Sequence, residues 1–456
     1  MLTNWNLYPK INVQTATPRF LQDLTRNTKL PRTFIARGLG RSYGDASLAP
    51  KVLATERLNK ILRFNQDTGV LQCQAGVSLD DILKLTVPKG WFLPVTPGTK
   101  FITVGGAIAS NVHGKNHHVS QSFGSHLLQI EIIDDARRMH ACSPEENREL
   151  FEATCGGMGL TGIIYSATMQ LIPIETAYIR QTTLQASNIR HFFELFEKFQ
   201  HSTYSVGWID CLKKGKSAGR GALMVGEHAA ASEIKKKNLL RLHRPPKLRI
   251  PFTFPSFVLN GWSIRLFNFL FFHKTPKKKT GLVHYEPFFY PLDKILEWNK
   301  MYGKKGFIQY QFVLPLKNKE GIIEILEKIS QSGQGSFLAV LKLFGKQEQG
   351  ILSFPTEGYT LALDFPIKKG LFQLLDELDA LVEKHEGRLY LAKDARMKKE
   401  FFQSSYSSLP RFLKALKKTN SKGKFKSMLS ERLGLDQEEA AAFLAKISEE
   451  KKELQH

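Results

Sequence analysis

Cysteine is scarce and scattered in this chain. Its four cysteines, Cys73, Cys142, Cys155 and Cys211, form no CxxC pair, which argues against a thiolate zinc site and against a disulfide framework. Acidic residues are also in short supply: 42 Asp and Glu stand against 65 Lys and Arg, a formal charge of +23. Such a surplus points to an anionic partner, whether nucleic acid, lipid surface or phosphorylated substrate. No apolar run reaches the ~18 residues of a membrane span. The opening stretch MLTNWNLYPKINVQTATPRF has no basic segment leading into an apolar one, so no secretory signal is expected. The expected location is cytoplasmic or peripheral to the inner membrane. No internal repeat and no GxxxxGK[ST] phosphate loop occurs.

What the sequence does have is glycine in clusters, at 38–44, 98–106 and 156–162, each between apolar runs. Glycine permits close backbone approach, so such loops can turn amides toward an anion. Three of them within 125 residues, with little lysine among them, suggest one large phosphate-bearing cofactor. GLGRSYG matches the dinucleotide spacing loosely, but no strand–helix–strand unit follows it.

Around these loops the pattern is α+β, with many short strands. TFIARGLGRSYGD reads as a strand entering a glycine loop, and SLDDILKLTV as a helix capped by Ser78. HLLQIEIIDDARRMHAC reads as a hairpin turning near Asp134 and Asp135. Further on, GFIQYQFVLP, SFLAVLKLFG and YTLALDFPI read as strands. NIRHFFELFEKFQHS, KEGIIEILEKISQSG and GLFQLLDELDALVEKHEG read as amphipathic helices. A lysine-rich helical tail closes the chain.

Charge is not spread evenly. Residues 212–280 hold sixteen Lys or Arg and two acids, Glu227 and Glu233, and so supply +14 of the +23. Within that stretch, RIPFTFPSFVLNGWSIRLFNFLFFHKTPKKK mixes aromatic and aliphatic residues with flanking lysines. Asn260, Arg265 and Asn268 interrupt it, so an interfacial segment on a peripheral anionic membrane surface is expected rather than a span. A solvated, loosely ordered charge run is the alternative. A nucleic-acid partner is not expected. The charge sits in one apolar, aromatic stretch, and no RNP, helix-turn-helix or zinc-finger pattern appears.

RGLGRSYGDASL, PVTPGTKFITVGGAIASNVHGKNHH and GGMGLTGIIYSATMQL together resemble the flavin domain of the vanillyl-alcohol-oxidase/p-cresol-methylhydroxylase family. The resemblance continues through WNKMYGKKGFIQYQFVLP, LDFPIKKG and GRLYLAKDAR and covers roughly residues 5 to 435. It implies the two-domain fold of that family with an antiparallel substrate sheet. The FAD domain would span 1–176 and the substrate domain 177–390, with a basic, aromatic insert at 212–280. Residues 391–456 would return to the FAD domain and end in the tail.

By the same resemblance FAD is the cofactor. Its pyrophosphate would lie on Arg37, Gly38, Leu39, Gly40, Arg41, Ser42 and Tyr43 and on the 99–107 stretch, where Thr99, Thr103, Gly105, Gly106 and Ala107 fall. Asn111 and Gly114 belong to the same expected cradle, while Gly157, Leu160, Thr161 and Gly162 would close the adenine side. Many members tether the flavin through a histidine in the first loop. Here Tyr43 stands in RSYGD, so non-covalent FAD is expected.

The downstream stretches resemble members that oxidise the C2 hydroxyl of a polyprenyl-phosphoryl ribose by hydride transfer to flavin, the first half of a ribose-to-arabinose epimerisation. A short-chain-dehydrogenase-type reductase would complete it. An oxidase of a soluble alditol or aldonolactone is the alternative. Lys393 in YLAKDAR matches the active-site lysine, with His113 and Lys115 as further catalytic candidates. Tyr302, Gln309, Gln311 and Lys342 would line the sugar pocket, and Trp208 and Phe344 would supply apolar walls. Ala362 stands where the resembled members have a cysteine, and Thr360 where they have an asparagine. No metal site is expected, because His113, His117, His118 and His126 have no carboxylate among them.

Overall fold

The computed structural model describes residues 1–26, 30–235, 238–243, 248–255, 258–336, 338–346 and 350–453. Parts of the basic stretch, at 236–237, 244–247 and 256–257, and the tail at 454–456 lie outside the described residues. The fold is α+β. In the first third, a five-stranded antiparallel sheet runs in the order Ile61–Phe64, Val70–Gln74, Ile163–Gln170, Leu127–Ile133, Met139–Cys142. Beside it lies a small parallel sheet of Gln14–Ala16, Lys51–Ala54 and Ile35–Arg37. The helix Leu79–Thr86 begins where the sequence places it, with the Ser78 side chain accepting from the Asp81 amide.

The larger sheet has eight antiparallel strands. From one edge they are Lys278–His284, Tyr178–Ala186, Gly221–His228, Tyr204–Ile209, Ala339–Phe344, Gly358–Pro366, Phe307–Pro315 and Arg388–Leu389. Alternation along these strands divides the residues between two faces. Tyr310, Phe312, Leu341, Leu361 and Leu363 turn into the core formed with the helices Ile189–Lys198, Gly321–Ser332 and Leu371–Lys384. Gln309, Gln311, Val340, Lys342 and Ala362 turn the other way, onto a cavity.

The stretch 212–280 is not one insert. Gly221–His228 is an interior strand of the large sheet, paired on both sides. The irregular, basic part begins after it and leads to the helix Gly261–Lys274. After the large sheet the chain returns to the first third. Phe425 packs edge-on against Phe34 at 5.6 Å, and the Phe34 amide donates to the Lys424 carbonyl.

Candidate active site

The glycine loops and the inner face of the large sheet enclose one cavity of about 550 Å³. Its first wall is the loop that follows the strand Ile35–Arg37. Gly40 sits at φ +62°, where a Cβ would run into the Arg37 guanidinium, so only glycine fits the turn. Arg37 is itself fixed: it donates to the Thr3 carbonyl at 2.9 Å and to the Asn4 side chain. Among the described residues, no protein acceptor takes the amides of 38–42. These residues line the cavity, and a run of amides not taken by protein acceptors suits a backbone nest for phosphate.

The second glycine loop contributes differently from the sequence expectation. The amides that open the helix Val104–Ala109 are already spent: Val104 donates to Val77, Gly105 to Ala75, and Gly106 to the Thr103 hydroxyl. Ala107 is buried inside that helix. What this loop offers the cavity is surface rather than free helix-opening amides: Pro97, Gly98, Thr99, Thr103, Gly105 and Gly106 all line it, with open space where a Gly98 Cβ would project. In the third loop it is Met158, Gly159 and Gly162 that reach the wall. Gly157, Leu160 and Thr161 face inward, Leu160 into the core and Thr161 onto Thr154 at 2.9 Å. Asn111 donates to Ser353 and accepts from the Gly124 amide.

The opposite wall is made of side chains. Cross-strand register sets Gln311 beside Ala362, Ala362 beside Val340, and Val340 beside Trp208. The neighbouring rows place Gln309 beside Asp364 and Lys342 beside Thr360. Lys393 arrives from a 3-10 turn, Leu391–Lys393, that follows the last strand of the sheet. Its ammonium lies 3.8 Å from the centre of the Tyr43 ring. Thus the proposed base and the first glycine loop are in direct contact. Tyr302 stacks on Phe307 at 4.0 Å, one layer behind Tyr43. Phe344 also stands behind the wall, packed on the rings of His113 and His117 at 4.7 and 4.5 Å.

Three lysines share this wall, and burial weakens the hold of each on its proton. Lys393 is pushed down to about 7 by desolvation, against the pull of Asp364. Lys115 is pushed down to about 7 by burial, with Lys342 adding repulsion. Lys342 is pushed down to about 8 by burial. Asp364 moves the other way, up to about 7, again through burial, although Gln309 donates to it at 2.5 Å. Lys115 lies 4.4 Å from the Phe288 ring and donates to the Phe288 carbonyl.

His113 is held neutral by burial and by its cationic neighbours. Gln311 fixes its tautomer. The Thr360 hydroxyl donates to the Phe312 carbonyl at 2.7 Å and must therefore accept from Gln311 Nε2, at 3.2 Å. The same Nε2 reaches His113 Nε2 at 3.0 Å, so that nitrogen is the acceptor and the proton sits on Nδ1. Nδ1 is buried with no protein partner.

Sequence reasoning missed several residues in and behind this cavity. Asp364, buried behind the wall where Gln309 donates to it, is two residues along the strand from Ala362, so period-two alternation could have placed it on the same face. Asp293 accepts from Thr99 and from the Lys100 amide, both at 3.0 Å, and fixes the second loop. Trp5 lines the cavity beneath the Arg41 guanidinium, 3.9 Å from its ring; nothing in the N-terminal sequence marks it.

The amide nest and the open glycine loop suit an anionic cofactor, and the comparisons with known proteins identify its class. A profile described as the FAD binding domain matches residues 14–143. The protein is therefore an FAD-dependent oxidoreductase. The chain is 37% identical over 414 residues to decaprenylphosphoryl-β-D-ribose oxidase of Mycolicibacterium smegmatis, covering 89% of this chain and 90% of that one. It belongs to the family of that oxidase. It is also 30% identical over 372 residues to an uncharacterised protein of Streptomyces coelicolor, covering 79% of this chain and 100% of that one. A D-arabinono-1,4-lactone oxidase of Yarrowia lipolytica is 26% identical over 182 residues, 38% of this chain.

Proposed function

We propose that the protein oxidises the C2 hydroxyl of a polyprenyl-phosphoryl ribose to the 2-keto sugar. The observation that carries this is one cavity with an amide nest on one side and Lys393, Lys342, Gln309 and Gln311 on the other. The residues present fit FAD, held non-covalently because Tyr43 stands where a tethering histidine would. Bound FAD supplies the acceptor for the hydride that leaves C2. The chain's part is to place the sugar and move one proton. Neutral Lys393 accepts the hydroxyl proton, and Asp364 stabilises the ammonium that results. Gln309 and Gln311 present side-chain amides to the sugar hydroxyls. Lys342 is a cationic partner for the substrate phosphate. A reductase of the short-chain-dehydrogenase type would take the ketone onward to arabinose.

The lipid-linked substrate fits the surface beside the cavity. No helix among the described residues is long and apolar enough to cross a membrane. The helix Gly261–Lys274, however, exposes Trp262 at 82%, Leu266 at 60% and Leu270 at 57%, while Ile264 and Asn268 anchor it inward. Phe271 of the same helix lines the cavity and packs on Trp208 at 4.4 Å. With Lys274 and Lys277–Lys279 close by, this helix is suited to rest in the headgroup layer of an anionic bilayer. A polyprenyl tail could then pass from bilayer to cavity without crossing water. The lactone oxidase likeness covers only 38% of the chain, which favours the lipid-linked sugar over a soluble one.

The test is anaerobic addition of a farnesylphosphoryl-ribose analogue to the FAD-loaded protein. Loss of the oxidised-flavin absorbance is expected, and acid precipitation should leave the flavin in the supernatant. Bleaching by soluble alditols or aldonolactones but not by the analogue would overturn the substrate.

A further inference from the structure

We propose that Arg432 is a positioning residue that holds Lys393 against the flavin loop by bridging Asp45 and Asp394. The inference rests on the reading of Lys393 as the base. Arg432 ends the short helix Met428–Arg432, far along the chain from the cavity loops it touches. Its Nε and Nη2 meet the two oxygens of Asp45 at 2.9 and 2.8 Å, and Nη2 also lies 2.8 Å from Asp394 Oδ2. Its Nη1 donates to the Met397 carbonyl at 2.7 Å. One planar guanidinium therefore ion-pairs with both segments. A lysine offers a single charged point and cannot form this fork.

Both carboxylates are buried, their side chains only 4% and 3% exposed. Burial raises Asp45, and the nearby Asp394 raises it further. Without Arg432, two desolvated carboxylates would face one another, a strongly unfavourable arrangement. Either the segments separate or one acid takes up a proton.

Separation would pass directly to the site. Asp45 follows the first glycine loop, and Asp394 follows Lys393. The segments touch at two more points: the Tyr43 amide donates to the Ala392 carbonyl at 3.0 Å, and a Cβ on Gly44 would sit 1.6 Å from the Asp394 carbonyl oxygen. Asp394 is rigidly tied to its own turn, accepting from the amides of Arg396 and Met397 at 2.9 and 2.8 Å. The contact that must hold is Lys393 over Tyr43, at 3.8 Å. Arg432 itself does not line the cavity, so it acts on the reaction only through this alignment.

The experiment is a double-mutant cycle on FAD-loaded protein, with reduction by the farnesylphosphoryl-ribose analogue as the first readout. Arg432→Gln should lower the reduction rate by roughly tenfold or more in the wild-type background. In a Lys393→Met background it should change that rate by less than about twofold, because nothing is left to position. The second readout needs no turnover. Acetic anhydride labelling of Lys393 at pH 7, read by peptide mass, should differ several-fold between wild type and Arg432→Gln. Should Arg432→Gln not fold, Arg432→Lys, which keeps the charge but not the fork, undergoes both measurements. Equal rate losses in the two backgrounds, or labelling unchanged by the substitution, would overturn the proposal. If Lys393→Met alone leaves the rate unchanged, the base assignment fails, and the labelling still decides whether Arg432 places Lys393.

Discussion

The two walls of the cavity are built from different materials. On the flavin side, residues 38–42 present backbone amides, and their shape is set by close approaches that leave no room for a Cβ. On the opposite side, Gln309, Gln311, Lys342 and Lys393 present side chains from two strands and a 3-10 turn. Backbone recognition does not titrate and is lost as a unit when the loop moves. Side-chain recognition can be trimmed residue by residue, and with lysines pushed down to about 7 and 8 it depends on pH. Substitutions on the first wall should therefore change whether FAD binds. Substitutions on the second should change what the bound FAD can be used for.

The largest effect is expected at Gly44. A methyl there overlaps a backbone oxygen at 1.6 Å, which no rotamer change relieves, so the loop must shift. Gly44→Ala should purify largely without FAD and melt several degrees lower, as read by absorbance and thermal unfolding. Gly281→Ala, on the edge strand with nothing within 4 Å of the added carbon, should match wild type in both. If Gly44→Ala kept its FAD, the first wall would be more forgiving than a backbone nest can be.

Lys393→Met is the converse. FAD should remain bound, while reduction by the analogue should slow by about 10²–10⁴-fold, the usual contribution of a positioned base. A slower rate that comes with lost FAD would erase the distinction between the walls.

The pH dependence separates two functions within the second wall. Lys393 accepts a proton only when neutral, so the reduction rate should climb as pH rises through about 7 and then level. Lys342 serves the substrate phosphate only when charged, so capture of substrate by the free enzyme, kcat/KM, should decline as pH rises past about 8. Lys342→Met should remove the declining limb and move the rising one to higher pH, because the Lys342 charge helps hold Lys393 down. A profile flat between pH 6 and 9 would mean that neither lysine titrates in its assigned role.

The same contrast explains what could be read from sequence. A wall made of glycine-dependent turns leaves glycine clusters behind, so all three loops were visible before the fold was. Which amides remain available was not, because that depends on Val77 and Ala75 accepting from the second loop, a contact between distant segments. The wall made of side chains leaves a weaker trace. Gln309 and Gln311 were legible by alternation along one strand, and Lys393 only through resemblance. Asp364, Asp293 and Arg432 acquire their meaning from partners 55 to 387 residues away. Spacing along the chain carries no record of such pairs.

The smallest effect is expected at Thr360, two residues from Ala362 on the same strand. Its hydroxyl orients the Gln311 amide and, through it, the His113 ring. Thr360→Val keeps the shape but removes the oxygen, leaving the Phe312 carbonyl without this donor at a cost of about 1–3 kcal/mol. The Gln311 amide is then free to turn its oxygen toward His113, and the imidazole proton would move from Nδ1 to Nε2. His113 Nδ1–H is the donor with no protein partner, so a ligand that uses it loses one neutral hydrogen bond, worth about 1 kcal/mol or roughly fivefold in rate or affinity. Nitrogen-15 NMR of the histidine ring reads the tautomer directly. Thr360→Ser, which retains the oxygen, should keep the wild-type signal. If the valine variant keeps it as well, the orientation of His113 is set by its packing on Phe344 and Tyr390 rather than by the chain of hydrogen bonds from the sheet.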